Sequence, residues 1–195
     1  MIIVACPGQG SQTPGFLADW AQDQGSRDFL AEASERSGVD LLQHGIESDA
    51  DTIRDTRIAQ PLIVAASLLA WRALGERTSL DGVGGAGHSV GEFAAASAAG
   101  VLSAGDALQL VGVRGRAMAE AATREATGMS AVVGGVEPDV LAKIAEHELT
   151  PANRNGGGQI VAAGALTALA ALADDTELAV EHLADVIIQA RQLSV

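Results

Sequence analysis

The chain has a single cysteine, Cys6, and few basic residues: 12 Lys and Arg stand against 25 Asp and Glu, a formal net charge of -13. One cysteine excludes an internal disulfide. Its place in the apolar opening Met1-Ile2-Ile3-Val4-Ala5-Cys6 marks it as a packed core residue rather than a reactive thiol. The scarcity of positive charge excludes the electrostatic footprint of a nucleic-acid binder and would repel an anionic membrane surface. The longest apolar run, Leu62 to Trp71, falls far short of the roughly 20 residues a spanning helix needs, so no membrane segment is expected. The opening strand has no basic leader and meets Pro7 too soon for a signal-peptide core, and the expected compartment is the cytoplasm. His44, His88, His147 and His182 are scattered, and no Cys or His cluster has zinc-ligand spacing, so no metal is expected. There is no Walker A pattern, internal repeat or low-complexity tail.

What remains is an apolar chain, 48% hydrophobic over 195 residues, with ample material for a core. Its first half alternates strand-like and helical patterns: a strand over 2–6, helices around 14–22 and 26–37, a helix over 61–75, and an apolar approach to Gly87. That alternation predicts an α/β fold with a parallel sheet. Pro61 suits a first helical position, and Leu62, Ala65, Ala66, Leu69 and Ala73 recur behind it at helical spacing up to Gly75. A second strong helix is expected over 104–122, with Ser103 as its N-cap. Beyond Thr127 the order becomes strand 129–133, helix 138–148, a short strand near Ala152, strand 159–163, an Ala/Leu-rich helix, and a strand over 186–195. This βαββαβ order predicts a ferredoxin-like small subdomain, joined to the first through the Gly/Thr-rich stretch 123–128. Gly156-Gly157-Gly158 fits the turn between its second and third strands.

Three features carry chemistry. Gly87-His88-Ser89-Val90-Gly91 is a G-x-S-x-G pentapeptide placed after a strand-like stretch and before a helical one, the setting of a nucleophile elbow. There the backbone N–H of Val90 can stabilise an oxyanion, and the following helix directs its N-terminus at developing negative charge. Pro7-Gly8-Gln9-Gly10-Ser11-Gln12 follows the first strand directly. As a Rossmann fingerprint it fails, because Thr13 stands where the third glycine belongs; as a glycine turn it needs no function. Arg114 has Leu110 and Met118 one turn to either side, a cation in an apolar row. It requires a partner, either an internal carboxylate in a structural ion pair or the carboxylate of a substrate held by the guanidinium fork.

These segments, in order, resemble the malonyl-CoA:acyl carrier protein transacylases, particularly their actinobacterial members. The resemblance covers most of the chain: Gly8-Gln9-Gly10-Ser11-Gln12, Ala59-Gln60-Pro61, Gly87 to Glu92, Arg114-Gly115 with Met118, Thr127 to Ala131, and Pro151 to Asn155 leading into Gly158 to Val161. It implies a partial α/β-hydrolase-like large subdomain over 1–124 and a ferredoxin-like small subdomain over 125–195. It also implies a ping-pong transfer in which Ser89 attacks malonyl-CoA and passes the malonyl group to the phosphopantetheine thiol of acyl carrier protein, for fatty-acid or polyketide synthesis. In that scheme the N–H groups of Gln9 and Val90 form the oxyanion hole, Arg114 clamps the malonyl carboxylate, and Gln60 and Asn153 line the pocket. No cofactor is implied beyond the CoA thioester as substrate.

The resemblance further implies a general-base histidine on a Gly-Ala-Phe-His segment downstream of the small subdomain. No such segment follows Arg191-Gln192-Leu193-Ser194-Val195, so the chain is expected to lack that base and to leave apolar surface of the large subdomain open to self-association. His88 diverges from its neighbour in an elbow and suits a packing or orienting role, and His147 and His182 are expected at the surface. The alternatives are a noncatalytic fragment or interaction module, a serine esterase, which would leave Arg114 and the Gly8–Gln12 turn unexplained, and an acyltransferase for a methyl-branched extender. Carrier proteins are acidic, so docking calls for a basic patch, with Arg72, Arg77, Arg116, Arg124 and Arg154 as candidates.

Overall fold

Two short strands frame the region around Ser89. Strand β1, Ile3–Cys6, pairs in parallel with β2, Gly84–Gly87, in a register that sets Cys6 opposite Gly87. The computed structural model describes residues 2–175, and the chain divides into two compact units, Met1–Glu120 and Ala121–Val195.

In the first unit the strands are followed by helices α1 (Gln24–Ser37), α2 (Leu41–Ile46), α3 (Thr56–Gly75), α4 (Gly91–Ala98) and α5 (Ala104–Ala122). Aspartates start three of them. Asp23 accepts from the Ser26 N–H, Asp40 from Gln43 and Asp55 from Arg57, each filling an orphan donor of a first turn. Ser103 Oγ accepts from the Asp106 N–H and caps α5 as its sequence predicts. The core gathers around α3, whose Leu62, Val64 and Ala65 are fully buried beside Leu17, Leu30, Leu41, Val90 and Val111. By length and composition α3 could cross a membrane; its burial in this cluster makes it the core helix of the unit.

The expected helix over 14–22 is instead a run of turns ending in a short 3-10 segment, Trp20–Gln22. Gly15 sits there at φ 74°, a left-handed conformation that no right-handed helix contains. Helix α3 starts five residues before Pro61, so this proline lies inside the helix and not at its first position. Its absent N–H would have served the Arg57 carbonyl, and that carbonyl lies beside Gly115 of α5. The α2 helix had no expectation in the sequence.

The second unit runs β3 (Thr127–Val133), α6 (Glu137–Glu146), β4 (Thr150–Gly156), β5 (Gln159–Ala165) and α7 (Leu166–Asp174). Its antiparallel sheet has the order β3-β5-β4, the first three strands of a ferredoxin-like arrangement. Ser130 faces Ala162 and Val132 faces Ile160 across β3 and β5, four buried residues on one face. Val140 and Ile144 of α6 and Leu169 and Leu172 of α7 complete this second core. Gly156, Gly157 and Gly158 all have positive φ at the β4–β5 turn. The strand expected over 186–195 and His182 lie outside the described residues.

Candidate active site

Ser89 occupies the sharp turn between β2 and α4 at φ 52°, one of two non-glycine residues at positive φ among those described. Serine in the left-handed region is strained, and the surrounding contacts hold it there. The flanking glycines are sterically required: a Cβ on Gly91 would lie 2.2 Å from the Cys6 carbonyl oxygen, and one on Gly87 would lie 2.5 Å from the Glu92 backbone. The elbow is therefore pressed against the end of β1. The His88 N–H donates to the Cys6 carbonyl at 3.0 Å, and the His88 ring lies against Gly8, where a Cβ would come within 2.5 Å of Nδ1.

This parallel pairing brings the glycine turn after β1 to the elbow. The turn is tied down from its other side, where Gln9 Nε2 donates to Thr56 Oγ1 at 3.2 Å and to the Arg54 carbonyl at 3.4 Å, and Gln12 Nε2 donates to the Ile53 carbonyl at 3.1 Å. Neither the Gln9 N–H nor the Val90 N–H has an acceptor among the described residues. Val90 is fully buried, so its unpaired donor is notable, since buried backbone N–H groups nearly always find a partner.

Arg114 arrives from α5. Its Nη1 donates to Gln60 Oε1 at 2.6 Å and its Nη2 to Ser89 Oγ at 3.2 Å. Among the described residues it has no carboxylate partner, and these two neutral acceptors hold it. Gln60 sits inside α3 at 1% exposure, with its Nε2 donating to Met118 Sδ at 3.3 Å. The close passage of α5 over the start of α3 depends on Gly115, where a Cβ would stand 3.0 Å from the Thr56 carbonyl oxygen.

Thus Ser89, Val90, Gln9, Arg114 and Gln60 come together in the first unit, whereas Asn153 belongs to the second, exposed on β4 opposite Val161. Met118 was a landmark in the sequence without a role, and the structure gives it a contact. His147 is not simply a surface residue: it is part-buried, with Nε2 3.2 Å from Asp175 Oδ2. Burial raises the Cys6 thiol above its ordinary range, in keeping with a packed residue.

Residues 4–188 match the family model of the acyl transferase domain. The chain belongs to that family. It is 52% identical over 177 residues to the malonyl CoA-acyl carrier protein transacylase of Mycobacterium tuberculosis, covering 90% of this chain and 59% of that protein. The Escherichia coli K12 transacylase is 37% identical over 81% of this chain and 53% of its own length. Among solved structures, that of the M. tuberculosis MCAT superposes with a TM-score of 0.85 at 52% identity, over 90% of this chain and 59% of that one. A malonyl-transacylase solved in complex with a type II PKS acyl carrier protein superposes at 0.79 and 33% identity, over 89% and 58%. This acyl transferase chain spans about three-fifths of the length of the mycobacterial relative.

Proposed function

We propose that this chain carries the nucleophile, the oxyanion donors and the carboxylate clamp of a malonyl-CoA:acyl carrier protein transacylase. The observation that carries the reading is the placement of Arg114, a cation with no carboxylate partner among the described residues, in hydrogen-bond contact with the elbow serine. A malonyl thioester has a carbonyl for Ser89 to attack and a free carboxylate that a guanidinium can take bidentately. In the reaction, Ser89 Oγ bonds to the thioester carbonyl carbon, and the N–H groups of Gln9 and Val90 receive the resulting oxyanion. The carbon–sulfur bond then breaks, CoA leaves as the thiol, and malonyl-serine remains. The phosphopantetheine thiol of acyl carrier protein reverses these steps and takes the malonyl group, in fatty-acid or polyketide synthesis. Gln60 holds Arg114 from behind, and the cytoplasm is the compartment.

Arg114 is the one hydrogen-bond partner of Ser89 Oγ among the described residues, and a guanidinium accepts no proton. Removal of the serine proton needs a base other than Arg114, and where none reaches Ser89 the loading step rests on oxyanion stabilisation and binding. The same observation favours a second reading, a noncatalytic module of the family. Intact-protein mass spectrometry after incubation with malonyl-CoA separates them: a malonyl adduct absent from Ser89→Ala supports the enzyme, and no adduct on folded protein leaves the module. Self-association is the oligomeric reading supported by exposed Ile2, Ile3 and Val101, and sedimentation velocity tests it.

A further inference from the structure

Gln60 is a buried primary amide with two faces to satisfy. Its oxygen takes the Arg114 Nη1 donor at 2.6 Å, and among the described residues the one acceptor for its nitrogen is Met118 Sδ at 3.3 Å. Met118 lies one helical turn beyond Arg114 on α5, so one helix supplies both the cation and the sulfur that bracket this amide. We propose that Met118 is a positioning residue for the carboxylate clamp, its thioether holding the Gln60 amide with the oxygen turned to Arg114. This inference rests on the clamp reading given above.

The physical case is one of matching donors and acceptors. An amide turned over would set its N–H groups against guanidinium N–H groups and its oxygen against the sulfur lone pairs, two repulsive contacts in place of two attractive ones. A buried N–H without an acceptor is costly, and Gln60 is 1% exposed, so water is a poor substitute at that site. With the sulfur gone, the amide nitrogen is left unpaired, and any rotation that relieves it withdraws the oxygen from Arg114. The guanidinium then loses its rear support and the orientation of its fork. A leucine fills nearly the same volume and offers no acceptor, while selenomethionine keeps a soft acceptor in the same place. Met118 is partly exposed, so neither replacement overpacks a closed core.

The test uses the full chain in three forms: wild type, Met118→Leu, and wild type grown with selenomethionine. Two quantities are read. The first is the ratio of malonyl to acetyl ester formed on Ser89 from the two CoA thioesters, since the acetyl group has no carboxylate for the clamp. The second is the pair of Gln60 side-chain amide signals in a nitrogen-correlated NMR spectrum, which needs no activity. The expected result is a malonyl-to-acetyl ratio lowered about fivefold in Met118→Leu, with the Gln60 signals displaced and exchanging faster with water, and both quantities retained with selenomethionine. Unchanged Gln60 signals, or an unchanged ratio, would overturn the role of Met118. If wild type forms no ester at all, the transacylase reading fails by itself, and the Gln60 signals still decide whether the sulfur holds the amide.

Discussion

The Arg114 guanidinium donates to the Ser89 hydroxyl oxygen across 3.2 Å, joining residues 25 apart in sequence and on different elements of the first unit. In the proposed reaction the contact would tie specificity to reactivity: a carboxylate drawn to the guanidinium would bring its thioester end within reach of the serine, so that binding itself orients the reacting groups. Three supports converge to make it possible: the strained elbow, the crossing of α5 over the start of α3 at Gly115, and the Gln60 amide behind the cation.

Gly91→Ala should be among the most damaging single changes. The added methyl would meet the Cys6 carbonyl oxygen at 2.2 Å, a collision with backbone that no rotamer relieves. A loss of about 3 kcal/mol is expected, read as a lower urea midpoint with an unchanged slope. A midpoint within experimental error of wild type would mean that β1 and the elbow are not pressed together as described.

Ser89→Gly should separate stability from chemistry. Serine at φ 52° bears a left-handed strain that glycine lacks. The glycine variant should therefore be more stable than Ser89→Ala by about 1 kcal/mol, while neither forms an ester. Equal urea midpoints for the two variants would contradict a strained elbow.

Acid sensitivity should trace to the aspartate caps. The Asp55 carboxyl is held below its ordinary range by hydrogen bonds from the Arg57 side chain and then from its backbone N–H, against some cost of burial. Asp23 and Asp49 are lowered chiefly by the backbone N–H groups of Ser26 and Thr52. A carboxyl whose folded value is depressed stabilises the fold above its unfolded value of about 3.9 and loses that contribution as pH falls through the folded value. Asp55→Ala should cost about 1 kcal/mol at pH 7 and flatten the acid limb of the unfolding curve. Asp55→Asn keeps an acceptor for the cap and should cost less at pH 7 while flattening the limb similarly. An acid limb unchanged in both variants would remove Asp55 from this account.

Much of the site was legible because its constraints are local. A strand, a G-x-S-x-G turn and a helix stand in sequence order, so the elbow is visible in the residues alone, and α5 has both a capping serine and unbroken helical spacing. The burial of Gln60 was not legible. Pro61 is a strong helix-start signal and drew the expected boundary forward, whereas the true start is set by Asp55, whose cap acts on α3 five residues earlier. Nor could sequence decide what Arg114 meets, since a row of apolar neighbours predicts a partner without naming it. Its actual partners lie 25 and 54 residues away, in the turn before α4 and inside α3. The short helix α2 escaped notice because six residues give periodicity too little length to register, and its cap Asp40 was the one available signal.

The central claim is that Ser89 and Arg114 act on one malonyl group. The most direct measurement is peptide-level mass spectrometry of the chain after incubation with malonyl-CoA, run beside Ser89→Ala and Arg114→Ala. The account predicts a malonyl ester on the peptide containing Ser89, none in Ser89→Ala, and a yield at least tenfold lower in Arg114→Ala, the scale of a lost charge-assisted hydrogen bond. An ester on another residue, or a yield indifferent to Arg114, would contradict it.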